Sequence, residues 1–241
     1  MRLLSLPAVI ASLATIFQVA GVWAYPSPTS AVLVARDDQH HPHQLESRAP
    51  PVPGSITIPL FKEAGHSTWT GNRVLAGLAG STVADQVVRD TAYLTYNAVK
   101  KNIPSGGLVA VMYVPGGGWA AGSVWHGSDE GFHGFARNAE AFWNSVPVPD
   151  QKLDSALNGV NKWHAEAVTA AKAELEFEDA MKEGLWPSGT KIYAYGQVWD
   201  NDRRAYIDGS KAVCEDGRSQ VEVACSVWLD RLQIKVVPIV T

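Results

Sequence analysis

Residues 108–125 read LVAVMYVPGGGWAAGSVW, and this stretch decides the fold. Leu108 to Val114 is a run of strand-forming residues, Pro115 to Gly118 has the composition of a turn, and Trp119 to Trp125 is a second apolar run. Two such runs joined by a short glycine-rich turn are typical of a β-hairpin. A glycine-rich turn can also cradle phosphate when a helix follows it, but here a strand follows, so we interpret the glycines as a hairpin turn.

Helical and strand patterns lie on both sides of this hairpin. Ser81 to Lys101 repeats apolar side chains at helical spacing and stops before Pro104, which predicts an amphipathic helix. After the hairpin, residues 127–159 are expected to be irregular or partly helical. Lys162 to about Lys182 again has helical spacing, and Lys191 to Trp199 alternates as a strand.

The C-terminal quarter predicts a loop, a helix and a strand. Ser219 and Glu222 have the spacing of a capping box, so we expect a helix from Gln220 to about Gln233. Residues 234–240 then close the chain as a strand. The predicted fold class is α/β: a mixed, three-layer-type sheet of about four strands in the order α-β-β-α-β-α-β.

The N-terminus predicts export. Residues 1–24 combine an early Arg2, a long apolar run and the small side chains Val22 and Ala24 at the ends of Val-Trp-Ala, which is typical of a signal peptide cleaved after Ala24. Residues 25–53 are rich in Pro and Ser and are expected to be a disordered leader or pro-segment. Residues 54–241 are expected to form one domain. We therefore expect a secreted, extracellular protein without a membrane anchor after signal cleavage.

The charge balance argues against general attraction to phosphate. The chain has 20 basic and 24 acidic side chains, and removal of Arg2 with the signal peptide leaves 19 basic residues and a net charge of −5. An acidic surface does not favour non-specific binding to nucleic acid or to an anionic membrane. A secreted nuclease is disfavoured for the same reason, and we expect a monomer because the sequence carries no signal for an oligomer.

Cys214 and Cys225 are the only cysteines in the chain. In a protein that passes through an oxidising compartment, two cysteines usually form a disulfide. Such a bond between these residues would fix the last loop to the last helix and stabilise the fold by about 3 kcal/mol.

His164 and Glu166 open the second predicted long helix, and Cys225 lies near the start of the third. With the predicted element order, this arrangement resembles the cytidine deaminase-like fold, particularly the secreted or toxin-type deaminases of fungi and bacteria. The resemblance covers roughly residues 81–240. It implies zinc held by His164, Cys214 and Cys225, with Glu166 as the catalytic residue that moves protons while zinc-bound water attacks an amino-bearing ring carbon.

The chemistry implied by this resemblance has a simple physical basis. Two helix N-termini that point at one place favour thiolates and an ionised carboxylate, and zinc lowers the pKa of bound water to about 7. The substrate would be a nucleobase, a nucleoside or a nucleic acid, and the protein would act as a toxin or effector.

One departure from the family pattern keeps a second function open. The family usually has Pro-Cys-x-x-Cys, whereas ten residues separate Cys214 from Cys225, so Cys214 would have to reach the metal from a loop. The alternative is a non-catalytic secreted effector or interaction protein with the same fold and a structural Cys214–Cys225 disulfide. In that case His164 is a partly buried helix residue and Glu166 a solvated one.

Overall fold

A seven-stranded sheet organises the part of the chain that the computed structural model describes, which is residues 49–75, 82–147, 164–214 and 224–240. The predicted signal peptide and nearly all of the predicted leader lie outside these residues. In chain order the elements are β1 (Phe61–Lys62), β2 (Trp69–Val74), α1 (Asp85–Val99), β3 (Leu108–Val114), β4 (Gly118–Ser123), α2 (Asp129–Ala136), α3 (Glu140–Ser145), α4 (Ala165–Phe177), a 3-10 turn (Glu178–Ala180), β5 (Lys191–Asp200), β6 (Ala205–Lys211), α5 (Cys225–Arg231) and β7 (Lys235–Val236).

The sheet is mixed, as the sequence predicts. Its strand order is β1-β2-β4-β3-β5-β6 with antiparallel pairing throughout, and β7 joins β5 in parallel. The fold class, mixed α/β, is therefore confirmed, but the prediction of about four strands is wrong. The unpredicted strands β1, β2 and β6 are short or largely polar, and they lie toward the two edges of the sheet, where a strand buries little apolar surface.

The predicted hairpin is the centre of the sheet. Val109 to Val114 of β3 pair with Gly118 to Ser123 of β4. Gly118 has a φ of +141°, and a Cβ there would lie 2.2 Å from the backbone oxygen of Arg73 on the neighbouring strand. Glycine is needed at this position because other residues are strained at this φ, and because their Cβ would clash with the backbone of β2. The glycine run is therefore a hairpin turn.

The side chains of β3 divide between the two faces of the sheet. Val109, Val111 and Tyr113 pack in one cluster with residues of α1, while Ala110 and Met112 pack in a second cluster with residues of α2, α3, α4 and α5. Successive strand residues point to opposite faces, so each face buries its own core. The result is three layers, with α1 on one side of the sheet and the other helices on the opposite side.

On the α1 face, three polar side chains of the helix hold the extended N-terminal segment. Asp90 accepts a hydrogen bond from the backbone N–H of Val52 at 2.9 Å, and Thr95 accepts one from Ile58 at 3.1 Å. Thr91 accepts a third from Ile56 at 3.2 Å. Contacts with the domain therefore reach back at least to Val52, slightly before the predicted start at residue 54.

On the opposite face, α4 lies directly against the hairpin. The hydroxyl of Thr169 donates to the backbone oxygen of Ala110 at 3.2 Å, and a Cβ on Gly122 would lie 2.8 Å from a methyl group of Val168. The helix is rich in Ala, whose small side chain favours helix formation and allows this close approach. The contacts fix the N-terminal half of α4 above the centre of the sheet.

Several predicted boundaries differ from the structure. The helix predicted over 162–182 is Ala165–Phe177 with a 3-10 turn, and the strand predicted over 234–240 is limited to Lys235–Val236. Ala224 has extended backbone angles and α5 begins at Cys225, so the capping-box prediction of Cys225 in a second helical turn is wrong. Residues 215–223, which include that box, lie outside the described residues.

Among the described helices, none has the length and apolar character needed to cross a bilayer.

Candidate metal centre

His164 is the residue immediately before helix α4. Its backbone is extended, with φ −101° and ψ 120°, and its carbonyl oxygen accepts the N–H of Ala167 at 3.2 Å as the helix starts. A side chain at this N-cap position projects beyond the first turn of the helix. The imidazole therefore extends from the end of α4 and not from its packed face.

Cys225 is the first residue of helix α5, and its side chain is buried. The backbone N–H groups of a first helical turn have no partner within the helix. The N–H of Cys225 donates to the sulfur of Cys214 at 3.0 Å. The start of α5 thus supplies one sulfur directly and holds the second through its backbone.

Cys214 reaches the same place from the loop that follows β6. Its backbone oxygen accepts the N–H of Ser226 at 3.2 Å, so both its main chain and its side chain are tied to the first turn of α5. The sequence distance between the cysteines is therefore compatible with a close approach. The loop position predicted for Cys214 agrees with the structure.

The three side chains converge. His164 Nδ1 lies 2.7 Å from Cys225 Sγ and 3.3 Å from Cys214 Sγ. The one imidazole nitrogen and two sulfurs all lie within 4.8 Å of one another, and the group can hold a metal ion. Both cysteines are free in the structure, so the predicted alternative of a Cys214–Cys225 disulfide is not present in it.

The surroundings of Cys214 favour a thiolate. Hydrogen bonds from the Cys225 side chain, from His164 and from the Cys225 backbone lower the pKa of the Cys214 thiol to about 4, although burial opposes the shift. The positive charge of His164 acts in the same direction. A thiolate is the form of cysteine that binds metals and acts as a nucleophile.

Glu166 lies in the first turn of α4, and only 4% of its surface is exposed. Burial raises the pKa of its carboxyl group, whereas its own backbone N–H and the charge of His164 lower it. The negative charge of Cys214 raises the pKa further, and the positive charge of Lys211 lowers it. The prediction of a solvated Glu166 is therefore wrong, because the first turn of α4 lies inside the core and not at the surface.

No protein-family model, curated protein or solved structure matches this chain. The site is therefore interpreted from its own geometry and chemistry.

Two histidines that follow the hairpin, His126 and His133, are outside the cluster of candidate ligands. The ring of His133 lies 6.4 Å from that of Phe132 and 6.2 Å from that of Trp143. The backbone N–H of His126 donates to the hydroxyl of Thr68, and burial lowers the pKa of His126. The buried core includes Trp119, Trp125, Trp186 and Trp228.

Lys211 is the residue near the site that the sequence analysis missed. It ends β6, is exposed, and is one of three side chains whose charge acts on Glu166. Its strand was predicted as loop because the sequence of β6, AYIDGSK, has no apolar alternation. The position of Lys211 three residues before Cys214 was the available signal.

Proposed function

We propose that this chain is a secreted, zinc-dependent hydrolase of the deaminase type that acts on a nucleobase, a nucleoside or a nucleic acid. The observation that carries the proposal is the convergence of His164 Nδ1 and the two cysteine sulfurs within 4.8 Å, where the charges of His164 and Cys214 act on the buried carboxyl group of Glu166. The three candidate ligands come from separate parts of the chain, so their meeting is a property of the fold.

Zinc suits this donor set. Structural and catalytic zinc sites use imidazole nitrogen and thiolate sulfur, and catalytic sites have three protein ligands with one position open. Zn–N and Zn–S bonds of about 2.1 and 2.3 Å place tetrahedral N and S ligands about 3.6 Å apart. The His164–Cys214 distance of 3.3 Å is close to this value, whereas the His164–Cys225 distance of 2.7 Å must increase.

A zinc ion bound there would supply Lewis acidity and lower the pKa of water to about 7. The protein supplies the proton transfer. Glu166 is two residues beyond His164, its pKa is raised by burial, and the charges of His164 and Lys211 oppose that shift. A carboxyl group with a pKa moved toward neutral can both accept and donate a proton at working pH. Its burial also keeps the proton from exchanging freely with bulk water.

The deaminase class is supported by the order of elements around the site. Elements α1, β3, β4, α4, β5, α5 and β7 follow the predicted order α-β-β-α-β-α-β, with β1, β2, α2, α3 and β6 as additions. The imidazole precedes α4 and one sulfur begins α5, as the resemblance implies. The second sulfur comes from a loop in place of the helix start, and the hydrogen bond from the Cys225 N–H accounts for how it is held.

A second candidate function has one observation in its favour. The two sulfurs lie within 4.8 Å of each other, and a secreted protein meets oxidants that join neighbouring thiols. A disulfide would remove both thiolate ligands. The same scaffold would then serve as a non-catalytic effector or interaction protein.

Metal content and ammonia release test the proposal together. Purified mature protein should contain about one equivalent of zinc, and the loaded protein should release ammonia from at least one member of a panel of bases, nucleosides and single-stranded oligonucleotides. Glu166→Gln should reduce ammonia release by at least about 100-fold and keep the zinc.

Glu176→Gln is the matched control, since Glu176 lies on the same helix but bonds to Asn72 and Lys172 at the surface. It should leave zinc content and activity unchanged. Metal-free protein in which both thiols are blocked until reduction would favour the non-catalytic function. Zinc-loaded protein that is inactive on the whole panel would contradict the deaminase.

A further inference from the structure

Lys211 lies on the same face of the sheet as the metal centre. It pairs directly with Ala194 of β5, and Ala194 pairs with Ala110 of β3. Ala194 and Ala110 belong to the core beneath α4, and directly opposed residues of antiparallel strands point to the same side. Lys211 therefore projects toward the α4 side.

The neighbours of Lys211 on its own strand support this orientation. Asp208 accepts a hydrogen bond from the hydroxyl of Tyr96 on α1 at 2.7 Å, and Ser210 bonds to Tyr193, which packs on the α1 side. Because side chains alternate along a strand, residue 211 points away from α1 when residues 208 and 210 point toward it.

Lys211 lies two strands away from the point where α4 contacts β3. Thr169, one turn after Glu166, lies over Ala110, and two strand spacings of about 4.8 Å separate Ala110 from Lys211. The charge of Lys211 acts on the Glu166 carboxyl group. The lysine is exposed and the glutamate is buried, so a surface cation and a buried carboxyl group lie on the same side of the sheet.

We infer that Lys211 binds a phosphate group of the substrate, so that the substrate is a nucleotide or a nucleic acid strand and not a free base or nucleoside. This inference rests on the proposed function. The net negative charge of the protein repels an approaching phosphate. A surface cation beside the metal centre offsets that repulsion locally. Lys211 is an exposed cation three residues before the candidate ligand Cys214, on the face of the sheet that carries α4.

The test compares a nucleoside, its 5′-monophosphate and a short single-stranded oligonucleotide of the same base. Lys211→Gln should raise KM for the two phosphate-bearing substrates on the order of fivefold more than KM for the nucleoside, and any change of kcat that comes from the field at Glu166 should be equal for all three substrates. Lys211→Arg should restore most of the loss. The effect should weaken as salt is raised, because the lysine is exposed. The monophosphate and oligonucleotide arms show which source of phosphate is preferred.

Lys62→Gln is the matched control, since Lys62 lies in β1 at the opposite edge of the sheet. It should change none of these values. An equal change of KM for the nucleoside and for the two phosphate-bearing substrates would mean that Lys211 acts only through the field at Glu166 and would overturn the inference. Unchanged KM values for all three substrates would overturn it as well.

A binding measurement separates this inference from the proposed reaction. In the Glu166→Gln background, equilibrium dialysis should show the monophosphate binding more tightly than the nucleoside, and Lys211→Gln should remove the difference. If wild-type protein releases no ammonia but this difference is present, the deaminase fails and the phosphate site stands. If the two ligands bind equally, the phosphate site fails whatever the activity.

Discussion

Helix α4 carries a buried carboxylate near each end, and the two differ in what surrounds them. Glu166 is 4% exposed and Glu174 is 6% exposed, and burial raises the pKa of both. Glu174 accepts hydrogen bonds from the backbone N–H groups of Ala141 and Phe142 at 2.8 and 2.9 Å. Glu166 instead lies among side chains that bind metals or carry charge.

This difference shows that a raised pKa alone does not identify a catalytic residue. Glu174 is held by two donors from the first turn of α3, where the N–H groups have no partner within the helix. Its carboxylate is a cap supplied by another helix. We propose Glu166, and not Glu174, as the proton carrier because the charges that act on it belong to side chains, above all His164 and Cys214, that can change their own protonation or bind a cation.

Removal of a candidate zinc ligand beside the N-terminal end of α4 should have the largest effect, and the effect should be on zinc affinity. Cys225→Ser replaces a soft thiolate with a hydroxyl group that binds zinc poorly, so zinc affinity should fall by more than about 100-fold, since loss of outer-shell partners alone costs 10- to 100-fold. Zinc content after dialysis against a buffered free-zinc series measures this.

Cys214→Ser should behave in the same way, although its sulfur comes from a loop. A variant at the other end of α4, Glu174→Ala, should keep the affinity of the wild type. Retention of full zinc affinity by both serine variants would show that the two sulfurs do not act as ligands.

Removal of the Glu174 carboxylate, near the C-terminal end of α4, should lower the stability of the protein and leave its zinc affinity unchanged. Glu174→Ala leaves two N–H groups of α3 without their acceptor and opens a small cavity, so the free energy of unfolding should fall by about 2 kcal/mol. Urea denaturation of the metal-free protein measures the change. Glu176→Ala, at the exposed side of the same helix, should change it by less than about 0.5 kcal/mol. An unchanged midpoint for Glu174→Ala would show that α3 does not depend on this cap.

The sequence predicts the two ends of α4 unequally. His164, Cys214 and Cys225 were identified together because the element order and the positions of these residues resemble the cytidine deaminase-like fold, and the structure brings their ligand atoms together. Their roles stay predictions. Glu174 carried no signal, because its partners are backbone groups of a helix 32 or more residues away, and backbone donors have no residue type to recognise.

The same limit explains the missed strands and the missed lysine. The hairpin β3–β4 and strand β5 are central and apolar, so their composition predicts them. Strand β6 lies at the edge with mostly polar side chains, and its pairing with β5 decides its structure more than its own residues do. The face on which Lys211 lies follows from that register and could not be predicted without it.

The smallest expected effect is in the pH dependence of the free energy of unfolding, and it reports selectively on the carboxyl group of Glu174. Burial raises the pKa of Glu174 in the folded state, and the nearby Glu178 and Glu140 charges add to the shift. Between the unfolded value of about 4.3 and the raised folded value, the folded state binds more protons, so this group makes stability fall as pH rises and recover in acid. The difference in unfolding free energy between wild type and Glu174→Gln should therefore change across this window by at most about 1.4 kcal/mol per pH unit and be flat below it. Glu176→Gln should show no such change. A wild type that loses stability relative to Glu174→Gln as the pH falls below about 4.3 would mean that the two backbone hydrogen bonds outweigh burial, and that the pKa of Glu174 is lowered and not raised.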